Sequence, residues 1–452
     1  MSKAQANPIP SDGIVDRLTG EQTTKLKEFW KVFLRIVHEA PKYPPGSANG
    51  DTSNQEHDLN GMNGVDSSPP PLTFENEIHV AREVLKKHGS KRFMESFWRW
   101  INQCYADTMV LKFLRARKWQ IGAAINMLVV CIQWRIESGV EDIDAWGEEG
   151  LRDAEGFIKQ LEMGKAYAQG SDRFGRPVCY IHVRLHKLFD QSAKALEDFI
   201  LFQMENLRFL ITYPNDKFNI VFDMAGFGFS NMDWKCVHFI VKCLEAYYPE
   251  SLNILFIHNA PWIFQGIWKI LGPMIDADVR AKVHFTRSPE DLKVHIDEKH
   301  LIKQLGGTSD WKWEYDPIVP GENDKMKDEA TKKELAAERN TLLAEFERVT
   351  RLWIASPDPN ISKARRVLDN LLRIQSFALD PYVRGRGIYH RKGNIVGDGR
   401  VVFEYPGLAD GDAREMRGED KAIGALEGEV RDLLRDLDID GANILDKSKL
   451  KL

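Results

Sequence analysis

Paired cysteines are missing from this sequence. Its five cysteines, Cys104, Cys131, Cys179, Cys236 and Cys243, are odd in number and none stands in a C-x-x-C spacing. A disulfide framework and a zinc ribbon therefore lack their usual signatures, and free thiols in a reducing, cytoplasmic compartment are expected. Long apolar runs are missing too. FNIVF (218–222) and LNILFI (252–257) are far shorter than the ~20 residues that span a bilayer. The first 20 residues are polar, contain prolines and have no apolar h-region, so no secretory signal is read there. There is no excess of basic charge: 62 Lys+Arg face 67 Asp+Glu, for a net charge of −5. A broad electrostatic grip on nucleic acid needs the opposite balance. The chain also has no G-x-S-x-G elbow, and no other catalytic constellation stands out, so the expectation is a protein that is not an enzyme and carries no cofactor.

What is present is an ordinary globular composition, 43% hydrophobic and 29% charged, long enough for two to four domains. Residues 1–45 hold one amphipathic helix, 23–40, with Leu26, Phe29, Trp30, Phe33 and Val37 at helical spacing. Residues 46–72 are Pro-, Gly-, Ser-, Asn- and Asp-rich and read as a flexible linker. Residues 73–145 read as a helical lobe, with Ser90 and Asp107 as candidate N-caps. From 150 to 310 strands alternate with helices. The expected strands are 177–183, 218–223, 252–257 and 279–285, with helices at about 195–211, 231–247 and 260–271 and one opened by Ser288-Pro289-Glu290-Asp291. This alternation predicts an α/β lobe with a mostly parallel sheet, and the two continuous apolar strands predict cover on both faces. Residues 325–452 form a mainly helical extension. A helical hairpin is expected at about 326–354 and 360–378, a short β-hairpin in the Gly-punctuated 385–400, and a last helix at 423–437.

One helix is unusual. In IHNAPWIFQGIWKILGPMIDADVRAKVHF (257–285), Asn259 is a candidate cap and Pro261 falls in the first turn. Trp262, Ile263, Phe264, Ile267, Trp268, Ile270 and Leu271 are apolar, and only Gln265, Gly266 and Lys269 are not. Apolar side chains nearly all the way round belong to a helix that is either fully interior or bathed in an apolar ligand on one side. Pattern alone leaves both readings open.

The blocks FLRARKW (113–119), SDRFGRPVCY (171–180), FNIVFDMAGF (218–227), YYPESLN (247–253), IHNAPWIF (257–264) and LGG (305–307) occur in this order. Together they resemble the CRAL-TRIO family of intracellular lipid carriers, especially its fungal phosphatidylinositol-transfer branch, over about residues 75–310. The resemblance implies a helical N-lobe beside an α/β lobe with a hydrophobic lipid pocket. It implies a gate helix at about 260–272 that opens at the membrane, with Trp262, Phe264, Ile267, Trp268 and Leu271 in contact with lipid. It also implies that Arg117, Glu250 and Lys282 approach the inositol phosphate. These residue types suit an inositol phosphate, since Arg offers forked donors, Lys a point charge, and a carboxylate accepts from inositol hydroxyls. Taken singly, each also fits an ordinary solvated surface position.

Some positions depart from the family pattern. Phe218 and Ile220 stand where hydroxyl side chains are expected, and Cys179 where a tyrosine is, with Tyr180 on the opposite strand face. Donors for a phosphatidylcholine headgroup are therefore missing there. Other signals carry less. His182 and His186 stand four apart, which would place them on one strand face, but without a third ligand they make no metal site. DLDIDGANILDK (436–447) has Lys447 where a calcium loop needs Glu. GFGFS (226–230) lacks the third glycine of a dinucleotide fingerprint and reads as a turn at the pocket mouth. The expected function is to bind phosphatidylinositol and transfer or present it, in the cytoplasm with transient membrane association. Two alternatives stay open: a lipid-sensing adaptor with a protein partner on the C-terminal extension, or a carrier of a sterol-like or other apolar lipid.

Overall fold

A computed structural model describes residues 13–39, 78–409, 411–446, 448 and 450. The linker expected at 46–72 lies outside the described residues.

The α/β lobe is built on a five-stranded sheet: β1 (Ala166–Ser171), β2 (Pro177–His182), β3 (Phe218–Asp223), β4 (Leu252–His258) and β5 (Val283–Thr286). They lie in that spatial order, with β1 antiparallel to β2 and the remaining neighbours parallel. β2, β3 and β4 follow the expected apolar runs. β5 is shorter than expected, because Ala277–Arg280 closes a helical turn capped by Asp276 before the strand begins. β1 was not expected at all. Its sequence, AYAQGS, carries no apolar run, and its place comes from pairing with β2 and from a second layer: Gln169 donates to the Glu404 carbonyl at 2.8 Å and the Ala168 N–H to the Tyr389 hydroxyl at 2.8 Å.

Successive strand residues face opposite ways. Cys179, Ile220, Leu255 and Ile257 belong to one core, beneath the helix Ala193–Leu210. Val178, Tyr180, Val221 and Phe256 belong to a second core with Leu292, Ile296, Leu301 and Leu305. This is the two-sided cover that the apolar strands predict. The helix expected after Ser288 forms at Pro289–Lys293, with proline at its start and the Asp291 carboxylate accepting from the Ser288 N–H at 3.0 Å. At the end of this layer the chain passes so close to itself that a Cβ on Gly307 would lie 1.8 Å from the Leu301 carbonyl oxygen, which only glycine tolerates.

The helices outside the α/β lobe do not form separate units. Gly20–Glu39, Ser90–Ile101, Ala106–Ala116 and Ile121–Ser138 share one core with Glu329–Ala355, Pro359–Val383 and Ile423–Ile439 of the extension. The N-terminal segment, the N-lobe and the C-terminal extension thus bury their apolar stripes against one another. Asp107 is the polar centre of that core. It is not a cap: the helix starts at Ala106, and its N-cap, Tyr105, makes no side-chain capping bond. Arg365 of the extension donates to both Asp107 carboxylate oxygens at 2.5 and 2.7 Å, and Trp30 Nε1 donates at 2.7 Å. Ser90 is likewise the first helical residue rather than the cap, which is Gly89. The β-hairpin expected at 385–400 forms instead from β6 (Val401–Glu404) and β7 (Arg414–Arg417), because the glycine-rich stretch supplies turns and the β-branched residues follow it.

Removing one partner of a buried ion pair leaves the other charge uncompensated and costs roughly 3–5 kcal/mol. Asp107→Ala is therefore expected to lower the unfolding free energy by that amount and to loosen the extension, as read by urea denaturation and limited proteolysis. A loss below about 1 kcal/mol would put this pair among the ion pairs with no net contribution.

Candidate functional site

The core-facing side of the sheet is not filled. Two apolar cavities of about 120 and 130 Å³ lie over it and share Val183, Phe222, Asn231, Val237 and Ile240 in their walls. Cys179, Ile181, Ile220, Phe222, Leu255, Ile257 and Val283 form the sheet wall. Cys179 and Ile220 are thus in the lining, while Phe218 is buried in the core beside them. A pocket for a drug-sized ligand holds about 300–1,000 Å³, so the walls must move to admit a whole lipid.

One wall is the helix Phe264–Leu271, shorter at its start than expected because Asn259 has φ +56 and residues 261–263 make a turn. Phe264, Ile267, Trp268 and Leu271 line the cavity. Trp262 is 82% exposed, and Ile270, Met274 and Phe285 are also exposed. Trp268 lies edge-on to Phe285 with centroids 5.1 Å apart. The helix turns its apolar side to the cavity and Gln265, Gly266, Lys269 and Ile270 to solvent, with the exposed Trp262 in the turn before it. Beyond it, Phe229 and the wholly exposed Phe189 add apolar surface.

Charges gather at the N-terminal ends of the parallel strands. Lys217 directly precedes β3, Glu250 stands just before β4, and Lys282 directly precedes β5. Glu250 accepts from Lys217 at 3.0 Å and from Lys282 at 3.3 Å, and its backbone is in the left-handed region at φ +53. Burial alone would raise its pKa, but the two lysines outweigh burial and hold it below the usual carboxylate value. Burial pushes the Lys282 ammonium down, and Glu250 offsets only part of that. Beside them Lys112, pushed down to about 8 by burial, donates to the Asp216 carbonyl and to Ser251 Oγ at 3.1 Å, while Arg115 pairs with the Asp216 carboxylate.

The structure thus brings Glu250 and Lys282 together and does not bring Arg117 to them. Arg117 is exposed at the end of its helix, and the one side-chain hydrogen bond described for it runs to the Ala116 carbonyl at 3.2 Å. Lys217 was missed by the sequence reading. The available signal was positional, since charged residues just ahead of successive parallel strands share one sheet edge. The two histidines do not share a face either. The strand ends at His182, which lies between Tyr167 and Asp223, and His186 follows a 3₁₀ turn, although both are among the residues lining one cavity.

An apolar cavity closed by an apolar helix, with a compact set of charges at one edge, is the arrangement of a protein that shields an amphiphile from water. Comparison with known proteins agrees. The CRAL/TRIO domain profile matches residues 161–307, and the CRAL/TRIO N-terminal domain profile matches residues 82–129. The chain is 35% identical over 347 residues to the CRAL-TRIO domain-containing protein C3H8.02 of Schizosaccharomyces pombe, covering 76% of this chain and 78% of that one. It is 34% identical over 359 residues to the phosphatidylinositol transfer protein CSR1 of Eremothecium gossypii, covering 77% and 82%. The phosphatidylinositol/phosphatidylcholine transfer protein SFH7 of Arabidopsis thaliana is 30% identical over 221 residues, 44% of this chain and 39% of that one. The chain belongs to the CRAL-TRIO family of lipid-binding proteins. Among the described residues no helix is long and apolar enough to cross a membrane.

Glu250→Gln would leave Lys217 and Lys282 facing each other without a counter-charge. It is expected to cost roughly 1–3 kcal/mol of stability at pH 7. A carboxylate with a depressed folded pKa contributes stability above its unfolded pKa of about 4.3 and loses it as pH falls through the folded value. The variant should therefore lose less than the parent between pH 5 and 3. Urea titrations at pH 7, 5 and 3 check both signs.

Proposed function

We propose that this protein binds phosphatidylinositol, with its acyl chains in the sheet-floored cavity and its headgroup at the Lys217–Glu250–Lys282 edge, and carries or presents it at membrane surfaces without chemical turnover. The observation that carries this reading is the Glu250 carboxylate held between two part-buried lysines at the edge of the sheet whose face walls the apolar cavities. An inositol phosphodiester offers an anion to the ammoniums and hydroxyl donors to the carboxylate. Arg117, exposed and with its side chain bonded only to its neighbour's carbonyl, is the cation left to complete the phosphate's contacts. The similarity to a protein named as a phosphatidylinositol transfer protein supports the same ligand.

The helix Phe264–Leu271 acts as the gate. The closed cavities are too small for a diacyl lipid, and the exposed Trp262, Ile270 and Met274 form an apolar outer face on which the gate can rest at a membrane. Phosphatidylcholine is a poorer ligand, because Cys179 and Ile220 in the cavity wall offer no strong donor to its phosphate. The working location is cytoplasmic, with transient membrane association.

Fluorescent phosphatidylinositol and phosphatidylcholine loaded side by side test the ligand. Phosphatidylinositol is expected to load preferentially. Lys282→Ala should reduce its affinity by about 10- to 100-fold, the equivalent of a charged hydrogen bond of roughly 1.5–3 kcal/mol. Equal loading of the two lipids, or full affinity in the variant, would overturn the headgroup assignment. Vesicle-to-vesicle transfer tests the gate. Trp262→Asp should slow transfer several-fold and leave the circular dichroism spectrum unchanged, since the side chain packs little in the closed form. An unchanged transfer rate would remove the gate from the mechanism.

A further inference from the structure

A third cleft, of about 710 Å³, lies away from the sheet and shares no lining residue with the two sheet cavities. It opens where the N-terminal helix Gly20–Glu39, the N-lobe helix Ser90–Ile101 and the extension helices Glu329–Ala355 and Pro359–Val383 come together. Its volume is already that of a small-molecule site, so no wall has to move. The lining is mostly apolar. Met94, Leu343, Leu379 and Val383 are only half-buried around it, and Trp98 lines it as well.

Most charged groups of the lining are engaged within the protein. Glu347 lies 2.6 Å from His38 Nε2 and accepts from Arg351 at 2.8 Å. Asp380 accepts from Arg384 at 2.6 Å and from Arg386 at 2.7 Å. Arg99 donates to the Glu141 carbonyl at 2.5 Å, and Lys332 pairs with Glu329 at 3.3 Å. Burial raises the Asp144 carboxyl above its ordinary pKa, and Arg384 offsets only part of that.

Arg339 is different. Its Nη1 donates to Ser376 Oγ at 2.7 Å, to Gln375 Oε1 at 3.1 Å and to the Leu372 carbonyl at 3.2 Å, all of them neutral acceptors. Among the described residues no carboxylate pairs with it, and burial pushes its pKa down to about 10. Its Nε and Nη2 make no described hydrogen bond and are not sealed from solvent. These two N–H groups form one side of the planar guanidinium fork, the side that matches both oxygens of a carboxylate. A part-buried charge without a counter-charge is unfavourable, so the cleft favours an anion. The other cation of the lining without a described partner is the exposed Lys91, and the exposed Glu95 stands in the same lining.

We propose that this cleft is a second ligand site, which holds an amphiphile with a single carboxylate, its two oxygens on Nε and Nη2 of Arg339 and its apolar body against Met94, Trp98, Leu343 and Leu379. The ligand class is a long-chain carboxylic acid. A phosphate monoester is disfavoured, because its second charge finds only Lys91 and faces Glu95. A neutral amide or alcohol leaves the guanidinium uncompensated. The bound acid touches both the N-lobe and the extension, so it ties the two together. The site is independent of the headgroup edge at Glu250 and of the phosphatidylinositol reading.

The test is equilibrium dialysis of the full-length protein against radiolabelled oleate, oleamide and acetate, each below its micelle concentration, with phosphatidylinositol loading measured in parallel. Oleate should bind about tenfold or more tighter than oleamide, and acetate should not be retained. Arg339→Gln should weaken oleate by about 10- to 100-fold, as loss of a charged, forked pair of hydrogen bonds requires, while phosphatidylinositol loading is unchanged. Arg339→Lys keeps the charge without the fork and should fall between the two, which also tests the contact if the glutamine variant does not fold. Photolabelling with a diazirine-bearing stearate locates the chain independently of any variant. Label is expected on Ser90–Ile101, Glu329–Ala355 and Pro359–Val383. Label confined to the sheet strands and Phe264–Leu271 would place the acid in the sheet cavities and overturn the inference. Equal binding of oleate and oleamide, full oleate affinity in Arg339→Gln, or acetate bound as well as oleate would each overturn it too. Oleyl phosphate bound more tightly than oleate would overturn the carboxylate assignment.

Discussion

Two oxygens of one buried carboxylate, Asp107, bind three parts of this chain. Arg365 arrives from the C-terminal extension and Trp30 from the N-terminal helix, and both meet a residue of the N-lobe. The guanidinium also donates to Thr350 at 2.9 Å and lies over the rings of Trp353 and Phe346 at 4.6 and 4.7 Å. A charge in an apolar core is tolerated only when its geometry and hydrogen bonds are complete, so the helices around Asp107 have little freedom of relative placement. That rigidity passes to the lipid lobe through Lys112 and Arg115, one and two turns along the same helix, which hold the Asp216 loop ahead of β3. It also passes through the buried Arg135–Glu205 pair at 2.9 and 3.1 Å, where Arg135 and Arg208 outweigh the effect of burial and hold the Glu205 carboxyl down at about 2.

The helix Phe264–Leu271, proposed as the gate, differs from this rigid frame by what it lacks. It contributes Phe264, Ile267 and Leu271 to the cavity wall, while Gln265, Gly266, Lys269 and Ile270 face outward. None of its side chains takes part in a described ion pair. Its packing over the cavity rests on apolar contact, which water favours and an apolar lipid surface does not. On the proposed reading, a helix held by the hydrophobic effect over a cavity responds to the lipid surface at which its contents would be exchanged. The charges stand apart from it: Lys217, Glu250 and Lys282 lie at the sheet edge ahead of β3, β4 and β5 and are not in the lining of either cavity.

Much of this could be read locally. β2, β3 and β4 are runs of apolar residues with strand-length spacing, and Ser288-Pro289-Glu290-Asp291 is a four-residue signal for a helix start. The family blocks brought Glu250 and Lys282 into one hypothesis although 32 positions separate them. Lys217 escaped because a lysine before a strand has no local mark of function. Arg117 was named by its block, yet its side chain in the closed structure turns to its own backbone. β1 escaped because its burial is imposed by β2 and by Tyr389 and Glu404 rather than by its own composition. Asp107 looked like a cap because an acid at a helix start usually is one, and its true partner lies 258 residues downstream.

The sequence by itself determined the alternation of strands and helices from β2 to β5, the two-sided burial of those strands, the apolar character of the helix Phe264–Leu271 and membership of the lipid-binding class. These follow from periodicity, capping chemistry and blocks of adjacent residues, all of which act over a few positions. Only the tertiary structure decided that the extension and N-terminal helix close one core with the N-lobe and that Glu250 is clasped by two lysines. Each of these depends on burial and on partners brought together from distant positions. The energy of a buried charge or an unmet donor is set by that assembled environment, and no local pattern encodes it.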